Sequence, residues 1–79
     1  MNNIYIPLSS LSIGEKCKVK ELISDGLTRR RMLDLGLIYN TVVESLHQSP
    51  SGDPVAYLIR GAVIALRSEA ASMILVEKI

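Results

Sequence analysis

The sequence predicts a mainly β protein, a small antiparallel β-barrel with one short inserted helix. Three observations lead to this prediction. About five short runs rich in Val, Ile, Leu and Tyr are separated by turn residues. One segment, 27–35, has the periodicity of a helix instead. The chain has 79 residues, enough for one domain, which is predicted to span 1–79.

Composition limits the core and the class of protein. Hydrophobic residues make up 48% of the chain and charged residues 22%, as in ordinary globular domains. Trp and Phe do not occur in the sequence, so the core is expected to consist of Leu, Ile, Val, Ala and Met. The net charge is +1. Nucleic-acid-binding domains are usually basic over a whole face, so no nucleic acid is expected as a partner.

Two short elements are predicted before the first long strand. The alternation of Ile4 and Ile6 predicts a short edge strand, which Pro7 ends because proline cannot donate to a ladder. Leu8 and Leu11 then lie three residues apart, the spacing of one helical turn. The chain is therefore predicted to enter the fold at an edge of the sheet.

The first long strand is predicted over 16–23. Lysines alternate there with apolar residues, so one face is solvated and the other packs inward. The inward face is predicted to carry Cys17, Val19 and Ile23. Glu21 interrupts the alternation, which indicates a bend or twist of the strand. Cys17 is interpreted as a small buried apolar residue.

The helix is predicted over 27–35. Ser24 or Asp25 can accept hydrogen bonds from the unpaired amides of its first turn. Gly36 suits the position after the helix, where a positive φ is needed. The stripe that seats the helix on the barrel is predicted to be Thr28, Met32 and Leu35. The stem of Arg29 is expected to lie along the protein with its charged head reaching outward.

The rest of the chain is predicted to be short strands joined by tight turns. These strands are expected over 41–48, 55–60, 62–67 and 74–79. Residues 49–54 have strong turn chemistry, and Gly61 marks a tight turn or bulge. Ser68 is expected to cap a helical turn over 68–73. The helix at 27–35 is then an insertion between the first two long strands, over one end or side of the barrel.

Several residue blocks carry a resemblance to a known family. The most specific is Arg-Arg-Arg-Met-Leu-Asp-Leu-Gly-Leu at 29–37. Further blocks lie at 7–9, 14–15, 52–55, 60–61, 64–67 and 69–70. In content and spacing the chain resembles the FeoA family, the small cytosolic component of bacterial ferrous iron uptake. The resemblance covers nearly the whole chain and implies an SH3-like barrel of five to six antiparallel strands.

The resemblance also implies a function. It implies a non-enzymatic accessory or regulatory protein that binds the cytosolic part of FeoB, a membrane transporter with a G-protein domain. A cytoplasmic location is expected, because neither a signal peptide nor an apolar run of about 20 residues is visible. Direct membrane insertion is not expected, and the protein is predicted to be a monomer or a weak homo-oligomer.

The candidate partner-binding residues lie on or beside the predicted helix. Three adjacent arginines, Arg29, Arg30 and Arg31, cannot share one helix face, and guanidinium groups suit bidentate contact with carboxylates or phosphates. Arg30 could instead form an ordinary exposed pair with Asp34. The apolar candidates for a partner groove are Leu27, Leu37 and Ile38. For these three, core packing is the alternative interpretation.

The sequence gives little support for catalysis or for a metal site. It contains no Ser/His/Asp or Cys/His arrangement at an interpretable spacing and no P-loop, so no enzyme is predicted. The metal-ligand candidates are His47 and Cys17, which would need Glu44 and Asp53 to converge with them in the fold. No cofactor is predicted, and Fe²⁺ remains an alternative without a ligand cluster.

Two alternative functions stay open at this point. A metal-binding carrier or sensor would use His47 and Cys17. A nucleic-acid-binding barrel would use the arginines together with a basic stripe of Lys16, Lys18 and Lys20. The second alternative lacks the aromatic stacking residues that single-strand binders use, since the three tyrosines are the only aromatic residues.

Overall fold

The computed structural model describes residues 4–79, in which a mainly β architecture contains two helices and a 3₁₀ turn. The strands are β1 (Ile6–Pro7), β2 (Lys16–Leu22), β3 (Val42–Gln48), β4 (Val55–Ile59), β5 (Ala62–Leu66) and β6 (Ile74–Lys78). The helices are α1 (Gly26–Asp34) and α2 (Ser68–Ala71), and the 3₁₀ turn is Leu8–Ser10. The predicted fold class is confirmed. The predicted domain also includes residues 1–3, which lie outside the described residues.

The six strands of the described chain form one antiparallel sheet in the order β1-β6-β2-β3-β4-β5. Strands β2 to β5 pair in the order of the sequence, as expected for short connections. The last strand, β6, returns between β1 and β2 and pairs with both. Strands β1 and β5 are therefore the two edges of the described sheet.

The core lies against one face of this sheet. Its largest fully buried side chains in the strands are Val19, Val43, Tyr57, Ile59, Ile74 and Val76. Cys17 is also fully buried, as predicted. Tyr57 supplies an aromatic ring, so the core is not limited to the aliphatic residues and methionines expected from composition.

The inward face of β2 changes at a β-bulge. The register with β6 shifts between Val19 and Glu21, and the extra residue of a bulge reverses which side chains face inward. As a result Leu22 is buried and Ile23 is 58% exposed. The prediction that Ile23 faces inward is therefore wrong, although the interruption at Glu21 did indicate a bend.

Helix α1 is attached to the sheet through one buried side chain and through a backbone hydrogen bond made by the segment that precedes it. Of its nine described residues, Met32 alone is buried. Ser24 Oγ donates to Met32 Sδ at 3.3 Å, so Ser24 supports this anchor instead of capping the helix. Thr28 is exposed, so its place in the predicted seating stripe is wrong. Before the helix, the Ile23 amide donates to the carbonyl oxygen of Met73 at 2.8 Å.

The C-terminus of α1 is closed by a Schellman motif. Gly36 has a φ of +97° and its amide donates to the Leu33 carbonyl at 3.0 Å. The Leu37 amide donates to the Met32 carbonyl at 3.0 Å, and the Leu37 side chain is fully buried. A Cβ atom at position 36 would collide with Cδ of Arg60. Gly36 is therefore favoured by its positive φ, and a side chain at this position would also have to displace the exposed Arg60 side chain.

The second half of the fold is held by a turn and by one carboxylate. Strands β4 and β5 are joined by Arg60 and Gly61, both with positive φ, as in a type I′ hairpin.

The Asp53 carboxylate accepts a hydrogen bond from the Ser68 amide at 2.8 Å and lies 3.8 Å from the Arg67 guanidinium. The prediction that Ser68 caps α2 is wrong, because Arg67 is the N-cap residue and the distant Asp53 satisfies the Ser68 amide.

Candidate functional site

The surface of α1 combines an exposed leucine with exposed arginines. The side chain of Leu27 is 88% exposed, and Arg30 and Arg31 are also exposed. Arg29 behaves differently, because its guanidinium donates to the Leu22 carbonyl at 3.1 Å. Its stem lies along the protein as expected, but its head is bound to the end of β2 instead of reaching outward.

The exposed pair of Arg30 with Asp34, the alternative to partner contact, does not form among the described residues. The ion pairs of the described residues are Lys20–Glu77, Arg67–Asp53 and Lys78–Glu15. Arg30 and Asp34, four residues apart on the helix, are not among them. The two outward guanidinium groups of α1 are therefore available for contact with a partner.

A groove of about 680 Å³ separates α1 from β5 and α2; we call it the α1–β5 groove. Its large apolar lining residues are Leu27, Met32, Leu35, Ile64, Leu66 and Met73, and Ala65 and Ala70 line it as well. The charged residues among its described lining are Arg31, Arg67 and Glu69. The groove is thus an apolar channel with more positive than negative charge at its walls.

A second, smaller groove of about 320 Å³ lies between α1 and the end of β2. Arg29, Leu33, Leu37, Ile38 and Tyr39 contribute to it. Leu37 is fully buried, whereas Ile38 is 45% exposed. Leu37 is therefore a core residue and offers no surface to a partner. For this residue the alternative interpretation, core packing, applies.

The six predicted partner-binding residues do not form one surface. Leu27 and Arg31 line the α1–β5 groove, Arg29, Leu37 and Ile38 line the second groove, and Arg30 lines neither. Sequence reasoning missed the opposite wall of the α1–β5 groove, including Ile64, Arg67 and Met73. The apolar run in β5 was visible in the sequence, but its position across from α1 depends on the tertiary fold.

The lysines of β2 are matched by acidic residues. Lys20 donates to Asn40 Oδ1 at 2.7 Å, lies 3.5 Å from Glu77 and stands 4.9 Å from the centre of the Tyr39 ring. Lys18 pairs with Glu77 in the ladder, and Lys16 pairs with Glu44. The stripe that a nucleic-acid-binding barrel would use is therefore interleaved with negative charge.

The metal-ligand candidates are separated in the structure. Burial raises the pKa of the Cys17 thiol to about 11, so the thiolate that binds metals is disfavoured near neutral pH. His47 is exposed on β3, four residues beyond Val43, the ladder partner of Cys17. Asp53 is engaged with Ser68. Among residues 4–79, no three His, Cys, Asp or Glu side chains are grouped to hold a metal ion.

No helix within the described part of the chain is long and apolar enough to cross a bilayer. Together, the six-stranded sheet, the buried core and the grooved surface of α1 define a small β-barrel domain with a candidate interaction surface. The chain belongs to the FeoA domain family, whose model matches residues 6–78. The family resemblance seen in the sequence is thereby confirmed.

Known structures support the same fold. The FeoA-like protein from Clostridium acetobutylicum is 33% identical with a TM-score of 0.89, over 100% of this chain and 91% of that chain. The FeoA of Stenotrophomonas maltophilia, complexed with zinc and described as an SH3 domain protein, is 22% identical with a TM-score of 0.80. That match covers 94% of this chain and 89% of the other. At such identity it establishes the SH3-like fold alone.

A further relative joins two proteins in one chain. The Fe(2+) transport protein A/Fe(2+) transporter FeoB fusion protein of Porphyromonas gingivalis is 32% identical over 72 residues, or 91% of this chain. The chain spans 8% of the length of that relative. In that relative, a domain similar to this chain is therefore covalently linked to FeoB.

Proposed function

We propose that this chain is a non-enzymatic accessory protein of ferrous iron uptake, which binds and regulates the cytosolic part of a FeoB-type transporter in the cytoplasm. The observation that carries the proposal is the fusion relative, in which a similar domain and the transporter share one polypeptide. Covalent linkage gives two domains a high effective concentration, which favours contacts between them. The same contacts in separate chains would require a dedicated interface.

The surface of α1 is the proposed interface. An exposed large apolar side chain beside arginines is the composition found at interaction sites, where arginine is enriched and apolar patches are functional. Leu27 is 88% exposed at the start of the helix, and Arg30 and Arg31 follow within one turn. Their guanidinium groups suit carboxylates of the partner. Fe²⁺ is then the cargo of the transporter, and the accessory role needs no resident cofactor.

Binding can be tested with the isolated cytosolic part of the FeoB-type transporter encoded in the same genome. Isothermal titration calorimetry should show binding by the wild-type chain. Arg30→Glu and Arg31→Glu should each weaken it about tenfold or more, equivalent to about 1.4 kcal/mol, because an attractive contact becomes repulsive. Thermal unfolding should be nearly unchanged in both variants, since both side chains are exposed.

Lys16→Glu is the matched control. It introduces the same change of charge at an exposed position on β2, away from α1. It should leave the affinity within about twofold of wild type. Wild-type affinity in both arginine variants would show that α1 is the wrong surface. A wild-type chain that does not bind the transporter at all would reject the accessory role through direct contact.

A further inference from the structure

Strand β5 is an open sheet edge beside the α1–β5 groove. It pairs with β4 on one side, and in the described chain the sheet ends there. Three residues of this strand, Ile64, Ala65 and Leu66, line the groove. The groove is therefore bordered by a row of backbone groups as well as by apolar side chains.

The register identifies the backbone groups that face outward. The two-residue turn makes Ile59 and Ala62 the hydrogen-bonded pair that closes the hairpin. Hydrogen-bonded and non-hydrogen-bonded pairs alternate along an antiparallel ladder. Val63 and Ala65 therefore direct their N–H and C=O groups away from β4. Among the described residues, no group of another element pairs with these four backbone groups.

The two edges of the sheet differ in how well they are protected against pairing with a further strand. Natural edge strands are blunted by shortness, charged residues, proline or bulges. Strand β1 has two residues and ends in Pro7. Strand β5 has five residues, Ala-Val-Ile-Ala-Leu, and its pairing with β4 is regular along its whole length. Val63 is also 63% exposed. An edge of this kind is a template for the addition of another strand.

We propose that the α1–β5 groove binds an extended peptide segment of the partner as an additional strand beside β5. The proposal rests on the proposed function, because the segment belongs to the FeoB-type transporter. The unpaired N–H and C=O groups of Val63 and Ala65 provide the hydrogen bonds. Leu27 and Leu35 of α1 cover the other side of the added strand.

Charge restricts the chemistry of the segment. Arg31 and Arg67 line the groove with Glu69, and Arg60 stands in the turn at the opposite end of β5. Arg67 is paired with Asp53, so the unmatched positive charge lies on the far wall, at Arg31, and at the turn, at Arg60. The segment that fits is apolar in its middle and carries Asp or Glu where it passes Arg31 and Arg60. An edge that offers main-chain hydrogen bonds favours an extended segment over a docked helix.

Amide hydrogen exchange on the isotope-labelled chain tests the proposal directly. On saturation with the cytosolic part of the transporter, exchange at Val63 and Ala65 should slow by about tenfold or more, because their amides acquire acceptors. The Ile64 amide, already bonded to β4, is the internal control and should change much less. Binding without protection at Val63 and Ala65 would overturn the added strand and leave the proposed function intact.

Proline substitutions provide the second measurement. Val63→Pro and Ala65→Pro each remove an outward amide without removing a ladder bond to β4, which is where proline is tolerated in edge strands. Each should weaken binding about tenfold or more. Unchanged affinity in both folded variants would overturn the proposal. Protection of Val63 and Ala65 that grows with the concentration of the chain alone would identify the occupant as a second copy, which also overturns it.

Discussion

The sheet and helix α1 are held in opposite ways. The long strands bury their inward side chains completely, at Val19, Val43, Ile59 and Val76 for example. Helix α1 buries one side chain, Met32, and leaves Leu27 almost wholly in solvent. A helix that served only to cover the core would turn its large apolar residues inward. The difference indicates that stability resides in the sheet, whereas the surface available for recognition resides on α1.

The largest effect on stability is expected from a substitution in the core of the sheet. Ile59→Ala should lower the free energy of unfolding by about 3–4 kcal/mol, because it opens a cavity at a fully buried position in β4. Leu27→Ala, the matched truncation on α1, should change it by less than about 0.5 kcal/mol. Chemical denaturation monitored by circular dichroism measures both. Equal losses in the two variants would contradict the division between sheet and helix.

A smaller effect is expected where the two regions meet. Gly36→Ala should lower the free energy of unfolding by about 2 kcal/mol, because an L-residue is strained at a φ of +97° and its Cβ collides with Arg60. In an Arg60→Ala background the same substitution should cost less, about 1 kcal/mol, since only the backbone strain remains. A double-mutant cycle by chemical denaturation measures the difference. Strict additivity would show that the Arg60 stem does not press on Gly36.

The smallest effect concerns a surface contact at the end of the sheet. Lys78 Nζ lies 2.8 Å from the Glu15 carboxylate, which also accepts from the Ser12 amide, and these contacts lower the pKa of Glu15. A lowered pKa in the folded state means that Glu15 contributes stability above its unfolded pKa and loses it as the pH falls through the folded pKa.

An NMR titration of the Glu15 side chain should therefore give a midpoint below the ordinary value for glutamate. Lys78→Gln should move the midpoint upward, because Lys78 is the largest cause of the lowered pKa. A midpoint that does not move in Lys78→Gln would assign the effect to the Ser12 amide instead.

Local patterns in the sequence predicted most of the elements and failed where distant residues decide. Period-two alternation placed Cys17 and Val19 inward correctly, but the bulge before Glu21 depends on pairing with β6, which lies over 50 residues away. In the same way Ser68 looked like a cap, yet the acceptor for its amide is Asp53. A local sequence pattern does not identify a pairing strand or a hydrogen-bond acceptor that lies far away in the sequence.

The candidate site was predicted to a smaller extent for the same reason. The arginines and Leu27 were visible as a cluster in the sequence. The wall that faces them comes from β5 and α2, beginning more than 25 residues later. Burial of Leu37 follows from the Schellman motif, whose two hydrogen bonds combine a local glycine signal with packing on the core.

Both ends of α1 are attached through the residues that flank it. Before the helix, the Ile23 amide donates to the Met73 carbonyl, and after it the Leu37 side chain is fully buried. One wall of the α1–β5 groove is therefore positioned by the fold itself and not by the exposed side chains of the helix. A wall that is already in place lowers the ordering cost of binding, so the groove is preorganised for its ligand.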